Sequence, residues 1–299
     1  MTTLSDVLWR SRRRLMGQQR EPINTLSAAI DADANDTSLT FTHAIRFVEG
    51  SRLSIGLETV LVVSVSGGGT GAEVIRAIDG SPLAAHSVGA LVHVGPTWTN
   101  FDLFGAINDE LADLSSPVNG LFRIQSTDFD FIPSQAGYNL SGLTDFLDIW
   151  RVRYDSPGPS NHWQPIPRSG WRLDRAADTT EFASGVQLVI MGGGAPGHKI
   201  RVSYKATFDP LAAEADDVLA VSGLHTEAHD ILSLGAAMRL IGGSEAQRAY
   251  TTTQADPRRG DEAPANAHVR AMQAFAQLRE ERIRDEAARL ATKYPVALP

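Results

Sequence analysis

An α+β fold rich in β-structure, with two small antiparallel sandwich or barrel units, covering helices and a helix at each end, is predicted by three observations. Between Phe47 and Val94 short apolar runs alternate with glycine punctuation, the mark of several short strands joined by turns. A second set of alternating segments lies between Gly137 and Phe208. Stripes of helical period lie at the N-terminus, after the first strand set and along the C-terminal third.

Taken in order, Thr3–Gln19 reads as a helix with Ser5 as N-cap; Leu4, Val7, Leu8 and Leu15 form its apolar face, and Gly17 and Pro22 end it. A polar turn at Asp31–Asp36 leads into a strand at Ser38–Thr42. Leu53, Ile55 and Leu57 alternate with Ser54 and Gly56, and Glu58–Val65 is β-branched and nearly continuous, which predicts burial on more than one side. Gly67–Gly71 is a turn, Glu73–Ile78 and Ala90–Val94 are further strands, and Asn100–Leu114 is an amphipathic helix through Phe101, Phe104, Ile107, Leu111 and Leu114. Residues 118–135 cross to the second unit. There Phe146–Tyr154 and Gly170–Leu173 read as strands, and Val186–Met191 with Lys199–Phe208 as a hairpin around Gly192–Gly197. Leu224–Ile241 reads as a helix ended by Gly242-Gly243, residues 244–264 as a polar linker, and Ala265–Tyr294 as the longest helix. The domain plan is therefore a helical arm (1–24), a first β-rich domain with its covering helix (25–120), a second β-rich domain (121–210), a helical segment (211–243), a linker (244–264) and a terminal helix (265–299).

Within the first strand set two patterns stand out: Gly50-x-x-Leu53-x-Ile55-Gly56-x-Glu58, and Val74-Ile75-Arg76-x-x-x-Gly80-x-x-x-Ala84-Ala85-His86-x-x-Gly89-Ala90-x-Val92. Over residues 25–120 the chain resembles a β-domain of tailed-bacteriophage virion proteins of the head–tail connector, or neck adaptor, type. Such segments commonly read Arg-Gly-x-x-Gly-Thr, where this chain has Arg76-Ala77-Ile78-Asp79-Gly80-Ser81. The resemblance implies a structural virion protein, assembled in the host cytoplasm into a homo-oligomeric ring. Its partners would be further copies of itself and portal or tail-tube proteins, with DNA only as passing cargo.

Composition narrows the chemistry. The 299 residues carry 42% hydrophobic and 21% charged side chains, a formal charge of −8 and no cysteine. That excludes disulfides and thiol catalysis, and argues against a general nucleic-acid binder. With no run of 18 apolar residues and no hydrophobic signal core, neither a membrane span nor a leader is expected. Gly67–Gly71 lacks the lysine of a phosphate loop and runs on into strand-like sequence. His225-Thr-Glu-Ala-His229 has the spacing of two ligands on one helical turn, but threonine stands where a metalloprotease carries its glutamate. With no Gly-x-Ser-x-Gly elbow either, no enzyme activity and no cofactor are expected.

Charge is unevenly placed. Residues 1–20 hold five arginines against Asp6, while residues 98–155 hold nine acids against Arg123, Arg151 and Arg153. A basic end and an acidic middle suit copies docking end to end, and equally two solvated surfaces. Candidate interface residues are Trp9, Arg10, Arg12, Arg13 and Arg14 on the first helix, and Trp163 and Trp171 in aromatic, proline-bearing loops. Met272, Phe275, Arg279, Ile283 and Leu290 on the terminal helix complete the set, since tryptophan and arginine dominate interface energetics. The expected role is a ring-forming neck component whose terminal helix reaches a neighbouring ring. The alternatives are a tail-tip or baseplate component, or a carbohydrate-binding β-module using the aromatic loops.

Overall fold

The computed structural model describes residues 1–17, 21–44, 48–135, 137–143, 145–156, 162–191, 198–252 and 267–295, with side chains left out at 156, 162, 243–252 and 267–268. The predicted mixed fold, with antiparallel sheets and a helix near each end, is what the chain adopts. Two compact units form, and both are discontinuous: Met1–Leu111 with Pro210–Arg282, and Ala112–Asp209 with Ile283–Pro299.

The first unit is built on a six-stranded antiparallel sheet of β1 (Ile23–Thr25), β2 (Ser38–Thr40), β3 (Arg52–Ile55), β4 (Glu58–Ser66), β5 (Gly71–Ile75) and β6 (Leu91–Val94), in the order β1-β6-β3-β4-β5-β2. The edge strands β1 and β2 run into each other: Leu26 bridges Phe41, Ser27 N–H donates to Thr40 O at 2.9 Å, and Thr42 N–H donates to Thr25 O at 2.9 Å. The sheet therefore curls onto itself and leaves little unpaired edge. Its inside is filled by Leu26, Leu39, Phe41, Leu53, Ile55 and Val60, among others, each contributing about 1.5–3 kcal/mol of apolar burial. Gly56 opens the two-residue turn between β3 and β4 with φ 55°, the left-handed conformation that a tight hairpin requires.

Helix α1 (Leu4–Met16) lies within the predicted span, with its cap two residues earlier than expected. Thr3, not Ser5, is the N-cap, and it closes a capping box with Asp6. Helix α2 (Asn100–Leu114) is capped by Thr99, whose hydroxyl accepts from Asp102 N–H at 3.1 Å. Its buried stripe is offset from the predicted one: Leu103, Ile107, Leu111 and Leu114 are buried with Glu110, while Phe101 and Phe104 stack on each other, half-buried. A short α3 (Val218–Ser222) precedes the predicted Leu224–Ile241 helix, over which the chain forms a 3-10 turn (Thr226–Ala228) and then α4 (His229–Thr252), which runs through Gly242-Gly243 without stopping. Helix α1 packs on α4, and Arg14 Nε donates to Ser233 Oγ at 3.0 Å.

The terminal helix α5 (Ala267–Lys293) is tied into its own chain: Arg279 and Arg239 both pair with the fully buried Glu110, and Arg282 Nε donates to Asp230 Oδ2 at 2.9 Å. A Cβ on Gly235 of α4 would fall 2.1 Å from Glu110 Cδ, so only glycine leaves room for that carboxylate. The linker predicted at 244–264 is helical up to Thr252; its remainder lies outside the described residues.

The second unit pairs two antiparallel sheets. One contains β7 (Arg123–Asp130), β9 (Phe146–Ser156), β10 (His162–Pro165) and β13 (Lys199–Ala206), in the order β10-β9-β13-β7. The other contains β8 (Gly137–Asn139), β11 (Trp171–Asp174) and β12 (Gln187–Ile190), in the order β11-β12-β8. The predicted hairpin does not form, since β12 and β13 belong to different sheets; the Gly192–Gly197 turn itself lies outside the described residues. Tyr138, Ile149, Val152, Trp171, Leu188 and Val202 belong to the shared core. Ile283 and Leu290 of α5 are buried, and Tyr294 meets the Trp150 ring edge-on at 5.1 Å.

Candidate interaction site

The glutamate that opens β4 organises one end of the curled sheet. Glu58 is completely buried and receives five donors: Arg76 Nε at 2.6 Å and Nη2 at 2.8 Å, Ala77 N–H at 3.1 Å, Ala84 N–H at 3.3 Å and His86 Nε2 at 2.8 Å. Arg76 also donates to the carbonyls of Asp31, Asp36 and Ala84. A bidentate, fully satisfied pair is the arrangement in which a buried charge is tolerated. Burial opposes ionisation of Glu58, yet the hydrogen bonds from His86 and Arg76 prevail and hold its pKa down to about 2.

The sequence signal for this network was the pattern Glu58, Arg76, Ala84, His86, and the structure explains it as a clamp: the loop from Ala77 to Gly89 is tied across the sheet end. Within this loop Ala77 and Asp79 stand at φ 52° and 56°, left-handed backbone that glycine adopts more readily.

Beside the clamp lies a cleft of about 410 Å³, bordered by Trp9, Arg12, Ile23, His86, His93 and Glu214. Its rim is apolar and open: Trp9 is 52% exposed, Ile23 43% and Leu91 60%. Its floor is polar and buried. Arg12 pairs with Glu21 and donates to Asn100 Oδ1 at 2.7 Å. Burial, and then the charge of Arg12, lower the His93 pKa to about 4, so the ring is neutral at physiological pH. Burial likewise pushes Glu214 upward, against the pull of His86.

The predicted interface residues divide accordingly. Trp9, Arg10 and Arg13 face solvent. Arg14 is exposed but engages Ser233, and Arg12 is buried in its own unit. Met272 and Phe275 are half-buried, with Met272 facing Gly242; Arg279, Ile283 and Leu290 are used inside the chain. Trp171 is a core residue at 4% exposure with Arg168 stacked 3.7 Å from its ring centre, and Trp163 lies under Arg201 at 4.0 Å. One face of each ring is thus occupied by a guanidinium.

His225 and His229 do not form a helical pair. His225 precedes a 3-10 turn, and His229 is buried at the start of α4 with Nε2 3.0 Å from Leu224 O. Among the described residues no group of three His, Cys, Asp or Glu is placed to hold a metal, and no described helix is long and apolar enough to cross a membrane. In comparison with known proteins, no family model matches the chain, and no curated protein matches it either.

Proposed function

We propose that the chain is a non-enzymatic structural component of a tailed-phage particle, of the head–tail connector or neck type, that assembles side by side into a ring through which DNA passes. The observation that carries this reading is the Trp9–Ile23–Leu91 rim. Three exposed apolar side chains border one cleft, and a capped helix whose opposite face is buried holds the tryptophan, as an interface anchor needs. Arg10 and Arg13 remain free to face an acidic partner surface. The motif shared with such virion proteins serves as a scaffold clamp, which suits a part whose work is mechanical.

The test is native mass spectrometry and negative-stain imaging of the purified chain, alone and mixed with candidate portal rings, for wild type and Trp9→Asp. The expected outcome is a discrete multimer or a decorated ring that Trp9→Asp abolishes while thermal unfolding stays unchanged. A chain that stays monomeric in both settings, or assembles equally well with Asp at position 9, overturns the reading.

A further inference from the structure

We infer that the second unit carries a docking slot for an extended, acidic segment of a partner protein, which adds as a short strand to the open edge of β9. The inference holds whether or not the chain forms rings.

Three observations converge on it. The first is an incomplete edge. On one side β9 is paired with β13 from Phe146 to Tyr154. On the other side β10 pairs only Arg153–Ser156, extended by Ile166 N–H donating to Val152 O at 2.9 Å. Among the described residues no strand covers Asp148–Arg151 there, and this stretch lines a cleft of about 450 Å³. At about 3.3 Å per residue it offers roughly 13 Å of edge, room for about four residues of an added strand.

The second observation is charge. Arg151, Arg153, Arg168 and Lys205 all border the cleft. The ion pairs of this unit use other cations: Asp148 is taken by Arg175, Asp128 by Arg201, Asp174 by Arg172, and Asp145 and Asp209 by Arg123. Among the described residues Arg153 Nε is buried with no hydrogen-bond partner, while its Nη2 donates to Ser203 Oγ at 3.5 Å. An arriving carboxylate supplies what these four cations lack.

The third observation concerns the opposite wall, which cannot close the gap from within. Pro165 and Pro167 stand there without N–H groups, while Arg151 and Arg168 already sit over the Trp150 and Trp171 rings, at 4.5 and 3.7 Å from their centres, which limits the side-chain freedom to be lost on binding. An open edge favours a backbone over a lone phosphate, and the four cations select an acidic segment over a neutral one.

The experiment uses the full chain and a fluorescein-labelled hexapeptide of alternating Glu and Val, read by anisotropy. Controls are the Lys/Val counterpart, the Glu/Val peptide N-methylated on alternate residues in each of its two phases, and a single-stranded DNA oligomer of equal charge. The expected result is binding of the Glu/Val peptide alone, weakened by salt. At least one N-methylated phase should lose tenfold or more, because the added strand then cannot donate to β9. Arg151→Gln/Arg168→Gln, both exposed and checked by urea unfolding, should lose tenfold or more, while Arg172→Gln outside the cleft should not. Should that pair perturb folding, Lys205→Gln replaces it with the same expectation. Absent peptide binding, equal binding of the oligomer, indifference to N-methylation in both phases, or indifference to the cleft variants each overturns the proposal.

Discussion

Replacing Glu58 by glutamine tests the clamp that holds the first unit's sheet end. The carboxylate's pKa is about 2 in the folded chain against 4.5 ordinarily, a difference of about 2.5 units or about 3 kcal/mol. An independent argument gives the same order. Arg76, whose side chain is 1% exposed, loses its counter-ion in the variant, and a buried charge stripped of its partner costs about 3–5 kcal/mol. The pH dependence has a definite sign. Because the folded pKa is depressed, the stabilisation is complete above pH 4.5 and is lost as the pH falls towards 2. Urea unfolding followed by circular dichroism should show Glu58→Gln less stable by about 3 kcal/mol at pH 7, with the gap to wild type narrowed by about 2 kcal/mol at pH 3. A deficit under about 1 kcal/mol at pH 7, or a gap constant from pH 7 to 3, would falsify the reasoning.

Three further outcomes are expected. Gly235→Ala should destabilise by at least about 2 kcal/mol in the same unfolding assay, since its Cβ would overlap the Glu110 carboxylate that Arg239 and Arg279 hold in place; a neutral result would mean Glu110 has somewhere else to go. Burial and Arg12 keep His93 neutral down to about pH 4, so wild type should lose up to about 3 kcal/mol between pH 6.5 and 4; His93→Gln should remove that slope, and an unchanged slope assigns it elsewhere. Ala77→Gly should stabilise by about 0.5–1 kcal/mol, because the residue stands at φ 52°; a loss of stability, read from the urea midpoint, contradicts the strain argument.

What the sequence revealed followed local chemistry. The strands β3, β4, β6 and β9 and the helices α1 and α2 announce themselves by alternation, by helical stripes and by caps, and they lie close to where these signals put them. What it hid depended on distant partners. Strand β7 reads Arg-Ile-Gln-Ser-Thr-Asp-Phe-Asp, half-exposed and with only Ile124 and Phe129 apolar, too few to mark a strand locally. Val186–Met191 and Lys199–Phe208 look like a hairpin, but β12 finds its partners in β8 and β11. Gly242-Gly243 looks like a stop signal, yet α4 continues past it, with Met272 beside Gly242. The arginine that interrupts the α5 stripe proved to be the partner of a buried glutamate 169 positions earlier, a pairing that only the folded chain discloses. Of the candidate cleft, Trp9 was legible from its composition; His86 and Glu58 were visible as a pattern without a role.

The discontinuity of the first unit bears on how the protein is made. Its curled sheet is complete once residue 94 has emerged from the ribosome, but Glu110 must wait for Arg239 and Arg279. Roughly 170 residues separate the end of the unit's first segment from the end of its second; at translation rates of about 5–20 residues per second, that is a delay of about ten to thirty seconds. During that interval Glu110 of α2 stands without the two arginines that pair with it in the finished fold. The nascent chain therefore passes through a stage at which a carboxylate destined for complete burial has no counter-ion, and it is neutralised only when the last helix arrives.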